Sequence, residues 1–352
     1  SQLFKPDREK LNENVPFGSS SGKNQSEGSE KNKSNEPRAL ITEVSIEGLD
    51  LHPEKKLLEF AAYDAMKVRP GSKISREDLK KDLQAIYSTG WFSGVKIDPI
   101  NGRRGVQILV KVQPNPVLKA VELSPKKLKI SSKEINSIFR SDYGKTLNLN
   151  SLQSKIKELK NWYVEKGYSL ARISGPNKIK EEGIVQLRVL EGVVDGIDIQ
   201  FLNADGESRD QDGKKIRGKT KLWVIEREIS IKPGDVFNRN KLERNIKTIY
   251  GTSLFSDVKV TLKPVEGKPG KIRISLGITE QSTGSLSGGI GYSGGQGAFG
   301  QIGIQSTNLL GRSWKSSLDL TYGEYGALVN FSFSDPWIKG DKYRTSFRNR
   351  LF

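Results

Sequence analysis

Few residues in this sequence have the type and spacing for chemistry. Gly289-x-Gly291-x-x-Gly294, within GGIGYSGGQGAFGQIGIQSTNLLG (288–311), has the spacing with which a strand–turn–helix unit cradles a pyrophosphate. That chemistry needs a helix starting inside the motif, its free N–H groups aimed at the phosphate. The residues that follow, GQGAFGQIGIQ, alternate with a period of two, so the glycines are read as part of a hairpin. There is one histidine, His52, next to a proline at a helix start, and it is read as an exposed loop residue. The absence of cysteine excludes a thiolate zinc site, a disulfide framework and a cysteine nucleophile. Asp205, Asp210 and Asp212 lack the spacing and closing glutamate of an EF-hand, and are read as solvated loop acids. No pair of carboxylates stands out. The expectation is a chain that is not an enzyme, with no cofactor, no metal and no small-molecule substrate.

The elements that carry these residues point elsewhere. Only 34% of the 352 residues are apolar, which favours several small cores over one large one. The net charge is +17, of which residues 114–192 carry +7. Lysine dominates and acids are interspersed, so the surface is read as solvated and basic, facing anionic lipid or an acidic partner. No RNP1 motif or well-placed KH loop is present, and nucleic acid is not expected as a partner. No apolar run is long enough for a membrane-crossing helix. The first residue is Ser1 and no signal peptide is visible, so a mature or trimmed product is expected. Residues 1–38 are rich in Ser, Asn, Lys, Glu and Gly and are expected to form a disordered arm.

Internal repeats are clear. PGSKISREDLKKDLQAIYSTGWFSGVKI (70–97) and PGDVFNRNKLERNIKTIYGTSLFSDVKV (233–260) align without gaps, pairing Gly71 with Gly234, Tyr87 with Tyr250 and Phe92 with Phe255. A weaker copy, GKTLNLNSLQSKIKELKNWYVEKGYSLARI (144–173), contributes Gly144, Tyr163, Gly167 and Tyr168. Ser75, Asn148 and Asn238 are predicted N-caps. Leu79, Leu83, Ile86 and Tyr87 lie on one helical face, read as core, and Gly90 and Gly167 suit helix exit. An opening strand (40–46, 117–123, 193–201), a first helix and a closing strand (106–112, 184–190, 271–279) flank each copy. The predicted unit is β-α-α-β-β, with domains at 39–113, 114–192 and 193–280, the last carrying an exposed insertion at 203–221. A three-stranded sheet of this kind has two bare edges, which invite an extended partner.

Residues 281–352 hold 13 of the 36 glycines and alternate continuously. Leu286, Gly288, Ile290 and Tyr292 share one face; Leu318, Leu320 and Tyr322 lie opposite Ser317, Asp319 and Thr321; a fifth segment is expected near Tyr343. Strands of this length, apolar on one face with aromatics near their ends, are the pattern of a transmembrane β-barrel wall. Five strands do not close a barrel, so Phe352 is expected to lie inside one.

The order of these motifs (Pro70-Gly71, Tyr87, Gly90, Trp91-Phe92, then Tyr163, Gly167, Tyr168, then Pro233-Gly234, Tyr250, Phe255, leading into a glycine-rich barrel start) resembles the POTRA-barrel family of outer-membrane assembly factors of the BamA type. It is most similar to the cyanobacterial and chloroplast Toc-channel branch. One departure is Ser253, where the family pattern expects glycine. The resemblance implies tandem POTRA domains in the periplasm or an equivalent intermembrane space, followed by an outer-membrane barrel. Its implied partners are unfolded outer-membrane or translocated polypeptides, outer-membrane lipid and accessory assembly proteins. Clients would add as strands to the strand after the second helix: Val95, Lys96, Ile97 and Asp98; Leu170, Ala171, Arg172 and Ile173; and Val258, Lys259, Val260, Thr261 and Leu262. The alternatives are a two-partner secretion transporter and a periplasmic scaffold with POTRA-like modules.

Overall fold

A computed structural model describes residues 38–176, 179–295 and 297–352. The expected disordered arm lies outside the described residues except for Arg38. The chain forms two compact units, one running up to Lys160 and including Ile173–Val189, the other made of Asn161–Arg172 and Leu190–Phe352.

In the first repeat, β1 (Ala39–Glu47) leads to α1 (Lys55–Ala65), then to a two-residue strand β2 (Lys73–Ile74), α2 (Arg76–Ser88), β3 (Phe92–Gly102) and β4 (Gly105–Pro114). The sheet order is β2-β1-β4-β3, with β1 parallel to β4 and β3 antiparallel to it. The helices cover one face, and Ile41, Leu58, Ala62, Ile86, Phe92, Ile108 and Val110 are buried together there. Helix α2 starts where expected: the Ser75 hydroxyl accepts from the Asp78 N–H, and the Asp78 carboxylate accepts from the Ser75 N–H at 2.9 Å.

The second repeat contains β5 (Ala120–Ser124), α3 (Ser132–Phe139), α4 (Leu149–Glu165), β6 (Arg172–Ser174) and β7 (Ile184–Leu190), in the order β5-β7-β6. Strand β5 is shorter than the expected 117–123 because Val117 and Leu118 pair with residues 145–146 instead of β7. A second capping box, Ser131 with Glu134, starts α3. The third repeat contains β8 (Val193–Leu202), α5 (Leu222–Glu226), α6 (Arg239–Gly251), β9 (Phe255–Pro264) and β10 (Lys271–Glu280), in the order β8-β10-β9. Its first helix is only five residues long. Phe237, Ile249, Phe255, Ile274, Leu276 and Ile278 form its core.

Strands β11 (Gly284–Ser293), β12 (Gly297–Leu309), β13 (Trp314–Gly323), β14 (Gly326–Asp335) and β15 (Phe347–Leu351) form one antiparallel meander. The fifth strand starts at Phe347, later than expected, because residues 338–345 form a turn closed by Ile338 N–H to Thr345 C=O at 3.0 Å. The register puts Leu286, Ile304, Leu318 and Phe331 on one face, and Ile290, Gly300 and Tyr322 on the same face two positions along. The apolar residues of this face are exposed: Leu286 is 76%, Ile290 95% and Tyr322 76% accessible. The other face carries Ser287, Gly303, Asp319 and Asn330 in register.

Candidate functional site

The strand after the second helix lies at a sheet edge in all three repeats: among the described residues, β3, β6 and β9 each have one strand neighbour. Val95–Asp98 lie inside β3, and Val258–Leu262 inside β9. In the second repeat the strand begins only at Arg172. Leu170 packs against the core of the third repeat, and Ala171 is buried with its N–H bonded to the Tyr168 carbonyl, so neither lies on an edge.

Tyr87 and Tyr250 do not simply fill a core. The Tyr87 hydroxyl accepts from the Val95 N–H at 3.0 Å, and the Tyr250 hydroxyl accepts from the Val258 N–H at 2.9 Å. The Val258 N–H also lies 2.9 Å from Asp257 Oδ1, to which Tyr250 donates. Each tyrosine therefore occupies one outward-facing donor of its edge strand. In an antiparallel edge strand every second residue turns its N–H and C=O away from the partner. The outward set is thus Val95, Ile97, Pro99 and Asn101 in β3, and Val258, Val260, Leu262 and Pro264 in β9. Both prolines fall in this phase, as they must, because a proline facing the partner would remove a ladder bond. Tyr163 differs: it is fully buried, and its hydroxyl donates to Glu191 at 2.9 Å. Phe92 and Phe255, at the strand starts, are buried in their cores.

Gly71, Gly144 and Gly234 share a role that neighbouring sequence does not reveal. Each has a left-handed φ (+87°, +77° and +91°) and, among the described residues, no neighbour near a built Cβ, so conformation rather than space requires glycine. Each donates its N–H to the opening segment of its repeat: to Ile41 O at 2.7 Å, Leu118 O at 2.9 Å and Val194 O at 2.8 Å. The return bonds come from Ile41, Leu118 and Val194 to residues 72, 145 and 235. This clip closes part of the other sheet edge, so the expected two bare edges per repeat are reduced to one bare edge and one partly closed.

The repeats join through one recurrent device. Asn148 caps α4 by accepting from Asn150 and Ser151 N–H, while its amide donates across to Thr89 O at 2.8 Å. Leu149 N–H bonds Gly90 O, and the buried Asn115 donates to Gly90 O and Leu147 O, both at 2.9 Å. Asn238 repeats this: it caps α6 through Lys241 N–H and donates to Lys166 O at 2.9 Å, while Arg239 N–H bonds Gly167 O. A Cβ on Gly90 would lie 2.8 Å from Asn148 Oδ1, and one on Gly167 would lie 2.7 Å from Asn238 Oδ1. Glycine is therefore required where the next repeat docks. Ser253 occupies the position aligned with Gly90, with φ +58°; no asparagine docks there, and its carbonyl instead accepts from the Gln281 side chain. At the first joint Glu54 accepts from the Thr146 hydroxyl and from its N–H at 2.7 Å, and these bonds hold its carboxyl below the usual range.

The third repeat is fastened to the barrel sheet by a buried polar knot. Glu280 accepts from Lys219 N–H, Thr220 N–H and the Thr220 hydroxyl at 2.8, 2.7 and 2.5 Å. Asn308 donates to Thr220 Oγ1 at 2.8 Å and accepts from Ser313 N–H at 2.8 Å. Lys221 N–H bonds Gly311 O, and a Cβ on Gly311 (φ +71°) would sit 2.0 Å from Lys219 O. The Arg227 guanidinium lies between the rings of Trp223 and Trp337, 5.0 and 4.9 Å from their centroids, and donates to Trp337 O. Glu228 is buried beside Arg227 and bonded by Arg344; burial pushes its carboxyl up against the pull of both guanidiniums.

The other candidates resolve simply. Gly289 and Gly291 lie inside β11 facing Gln301 and Phe299, and Gly294 lies in the turn to β12, so no helix N-terminus meets them. His52 is half-buried, not exposed, and its Nδ1 accepts from Glu54 N–H at 3.2 Å. Among the described residues no group of three or more His, Cys, Asp or Glu side chains could hold a metal, and no helix is long and apolar enough to cross a membrane.

Residues 39–115 and 215–281 match the family model "Surface antigen variable number repeat", a POTRA model, and residues 117–192 match "POTRA domain, ShlB-type". The solved structure of POTRA1-3 of the periplasmic domain of Omp85 from Anabaena is 39% identical, with TM-score 0.60, covering 70% of this chain and 97% of that one. A chloroplastic outer envelope protein 80 from Oryza sativa subsp. japonica is 30% identical over 319 residues, 88% of this chain and 46% of the relative. The outer membrane protein assembly factor BamA of Nitratidesulfovibrio vulgaris is 25% identical over 321 residues, 86% of this chain and 39% of the relative. The chain thus spans less than half the length of the curated relatives it matches. Its three α/β repeats, their shared joints and the glycine-rich strands that follow make the chain a member of the BamA-type Omp85 family.

Proposed function

We propose that this chain is a segment of an outer-membrane protein assembly or polypeptide translocation factor. POTRA domains at 39–113, 114–192 and 193–280, the last with an insertion at 203–221, face the periplasm or an equivalent intermembrane space. A barrel that begins at 281 lies in the outer membrane. Unfolded β-rich chains are held as extra strands on the POTRA edges and passed to the barrel, whose first strand β11 offers an edge for templating. No bond is made or broken. The observation that carries this reading is the pairing of one exposed apolar sheet face with bare edge strands in the preceding repeats. An outward apolar band backed by polar residues suits lipid on one side and water on the other, and edge N–H groups suit an extended chain.

The membrane half of the proposal is tested with single cysteines, which the cysteine-free sequence permits. An environment-sensitive dye at Ile290, Ile302 or Leu320 in lipid vesicles should report an apolar setting, and at Gln301, Asp319 or Asn330 an aqueous one. Loss of that alternation would reject a membrane wall. The client half is tested by binding of an unfolded outer-membrane segment to the whole chain, which proline at an outward position of at least one edge strand should weaken.

A further inference from the structure

The three edge strands are not equally open. In β3 the outward series runs Val95, Ile97, Pro99, Asn101; Val95 is taken by Tyr87, and Pro99 has no N–H. Ile97 is left as an isolated donor, and Asn101 falls at the hairpin end, one residue before Gly102 pairs Gly105. Strand β6 is three residues long. Short edge strands and edge prolines are both devices that discourage pairing. In β9 the series runs Val258, Val260, Leu262, Pro264, with Val258 taken by Tyr250. Val260 and Leu262 remain, two consecutive outward positions in the middle of a ten-residue strand. Tyr250 closes this window at one end and Pro264 at the other.

We infer that β9 is the principal client edge, and that Tyr250 and Pro264 set the register in which an extended polypeptide pairs with it. This rests on the proposal that the repeats take clients by strand addition, and it narrows that proposal to one strand. The chemistry of the window selects an unfolded, extended chain. Its offer is two residues that each exchange an N–H and a C=O, with the side chain of Leu262, 37% exposed, beside them. A helical segment has no free backbone groups to answer them. The placement suits transfer: β9 pairs along its length with β10, and β10 runs into β11 through only Gln281–Thr283. The partner therefore sits on the sheet whose central strand becomes the first barrel strand.

The test uses the whole chain and a synthetic peptide of about ten residues, the length of a membrane-spanning strand, in which valine and tyrosine alternate with serine and threonine. Affinity is measured by fluorescence anisotropy, and backbone pairing by hydrogen exchange at residues 258–264. Wild type should bind and protect the Val260 and Leu262 amides. Val260→Pro should weaken binding about tenfold or more, the loss expected when one well-made exchange disappears. Leu262→Pro should do the same with less loss of core packing, and guards against a folding failure in Val260→Pro. Both prolines face away from β10 and leave its ladder intact. Ile97→Pro should leave binding unchanged, whereas Pro99→Val, by opening the first edge, should add a second peptide site. Equal losses from Ile97→Pro and Val260→Pro would overturn the assignment to β9 while keeping strand addition. Binding in wild type that no edge proline alters, or no binding at all, would overturn strand addition itself.

Discussion

Replacing Gly90 by alanine, with Gly71→Ala as its internal control, separates what the joint between repeats contributes from what a left-handed backbone costs. The two glycines lie in the same repeat with φ of +81° and +87°. Alanine at either should cost about 1–2 kcal/mol for the left-handed conformation alone. At Gly71 none of the described residues lies within 4 Å of the added methyl, so the cost should stop there. At Gly90 the methyl would lie 2.8 Å from Asn148 Oδ1 and 3.0 Å from Asn150 N, too close for the cap to remain. Displacing it forfeits the N-cap of α4, about 1 kcal/mol, and the bonds from Asn148 to Thr89 O and from Leu149 to Gly90 O, about 1 kcal/mol each. The expected excess of Gly90→Ala over Gly71→Ala is therefore about 2–3 kcal/mol, roughly a hundredfold in equilibrium constant. Urea unfolding gives the totals, and exchange at the Leu149 amide reads the joint directly. In an Asn148→Ala background the excess should largely vanish, since the cap and one cross-repeat bond are already gone. Equal costs for the two substitutions, with Leu149 protection unchanged, would refute the claim that Gly90 is kept for docking.

The remaining expectations use the same contacts. Tyr87→Phe should cost about 0.5–1.5 kcal/mol and speed exchange at Val95; Tyr250→Phe should have the smaller effect at Val258, because Asp257 also accepts from that N–H. Glu54 is held below its ordinary value by Thr146, so the joint it makes is fully present above the unfolded value of 4.5 and is lost as pH falls through the lower folded value. Acid titration of Thr146 amide protection should show that loss, and Glu54→Gln should remove the pH dependence. Gly311→Ala places a methyl against Lys219 O, and it should cost more than the roughly 1–2 kcal/mol of a left-handed alanine and expose the Lys221 amide to exchange. Ser253→Gly should stabilise by about 0.5–1 kcal/mol, relieving a positive φ without a docking partner to disturb.

Local signals in the sequence carried the repeat, its helix starts and the strand alternation after Glu280. Ser75 and Asn238 cap the helices where their types and spacing require, and the apolar faces of β11–β14 fall where a period of two puts them. Features that depend on partners far along the chain were not legible. Tyr87 shares a helical face with Ile86 and reads as core, yet its hydroxyl is spent on a strand N–H eight residues on. The glycine after Pro70 looks like a turn residue, and only the fold shows its N–H clipped to Ile41. Leu170 and Ala171 carry apolar side chains that suit a strand, but the third repeat claims one and the local turn claims the other's N–H. Thr220, Glu280, Asn308 and Ser313 are ordinary polar residues in sequence, and nothing but tertiary contact marks them as a network in which Thr220, Asn308 and Ser313 are buried.

The departure at Ser253 then has a physical reason. A left-handed residue ends the second helix of every repeat, but the demand for a missing side chain comes from the asparagine of the following repeat. Gly90 meets Asn148 and Gly167 meets Asn238, whereas the Ser253 carbonyl accepts from the Gln281 side chain. The third repeat thus ends differently because a strand, not another repeat, follows it. The same repeat carries the insertion at 203–221, the Arg227 stack on Trp337 and the β9 window. The bonds from Thr220 to Glu280 and Asn308 fasten the third repeat to the strands that follow it. If clients add to β9 as proposed, this network would hold Val260 and Leu262 in a constant register with β11.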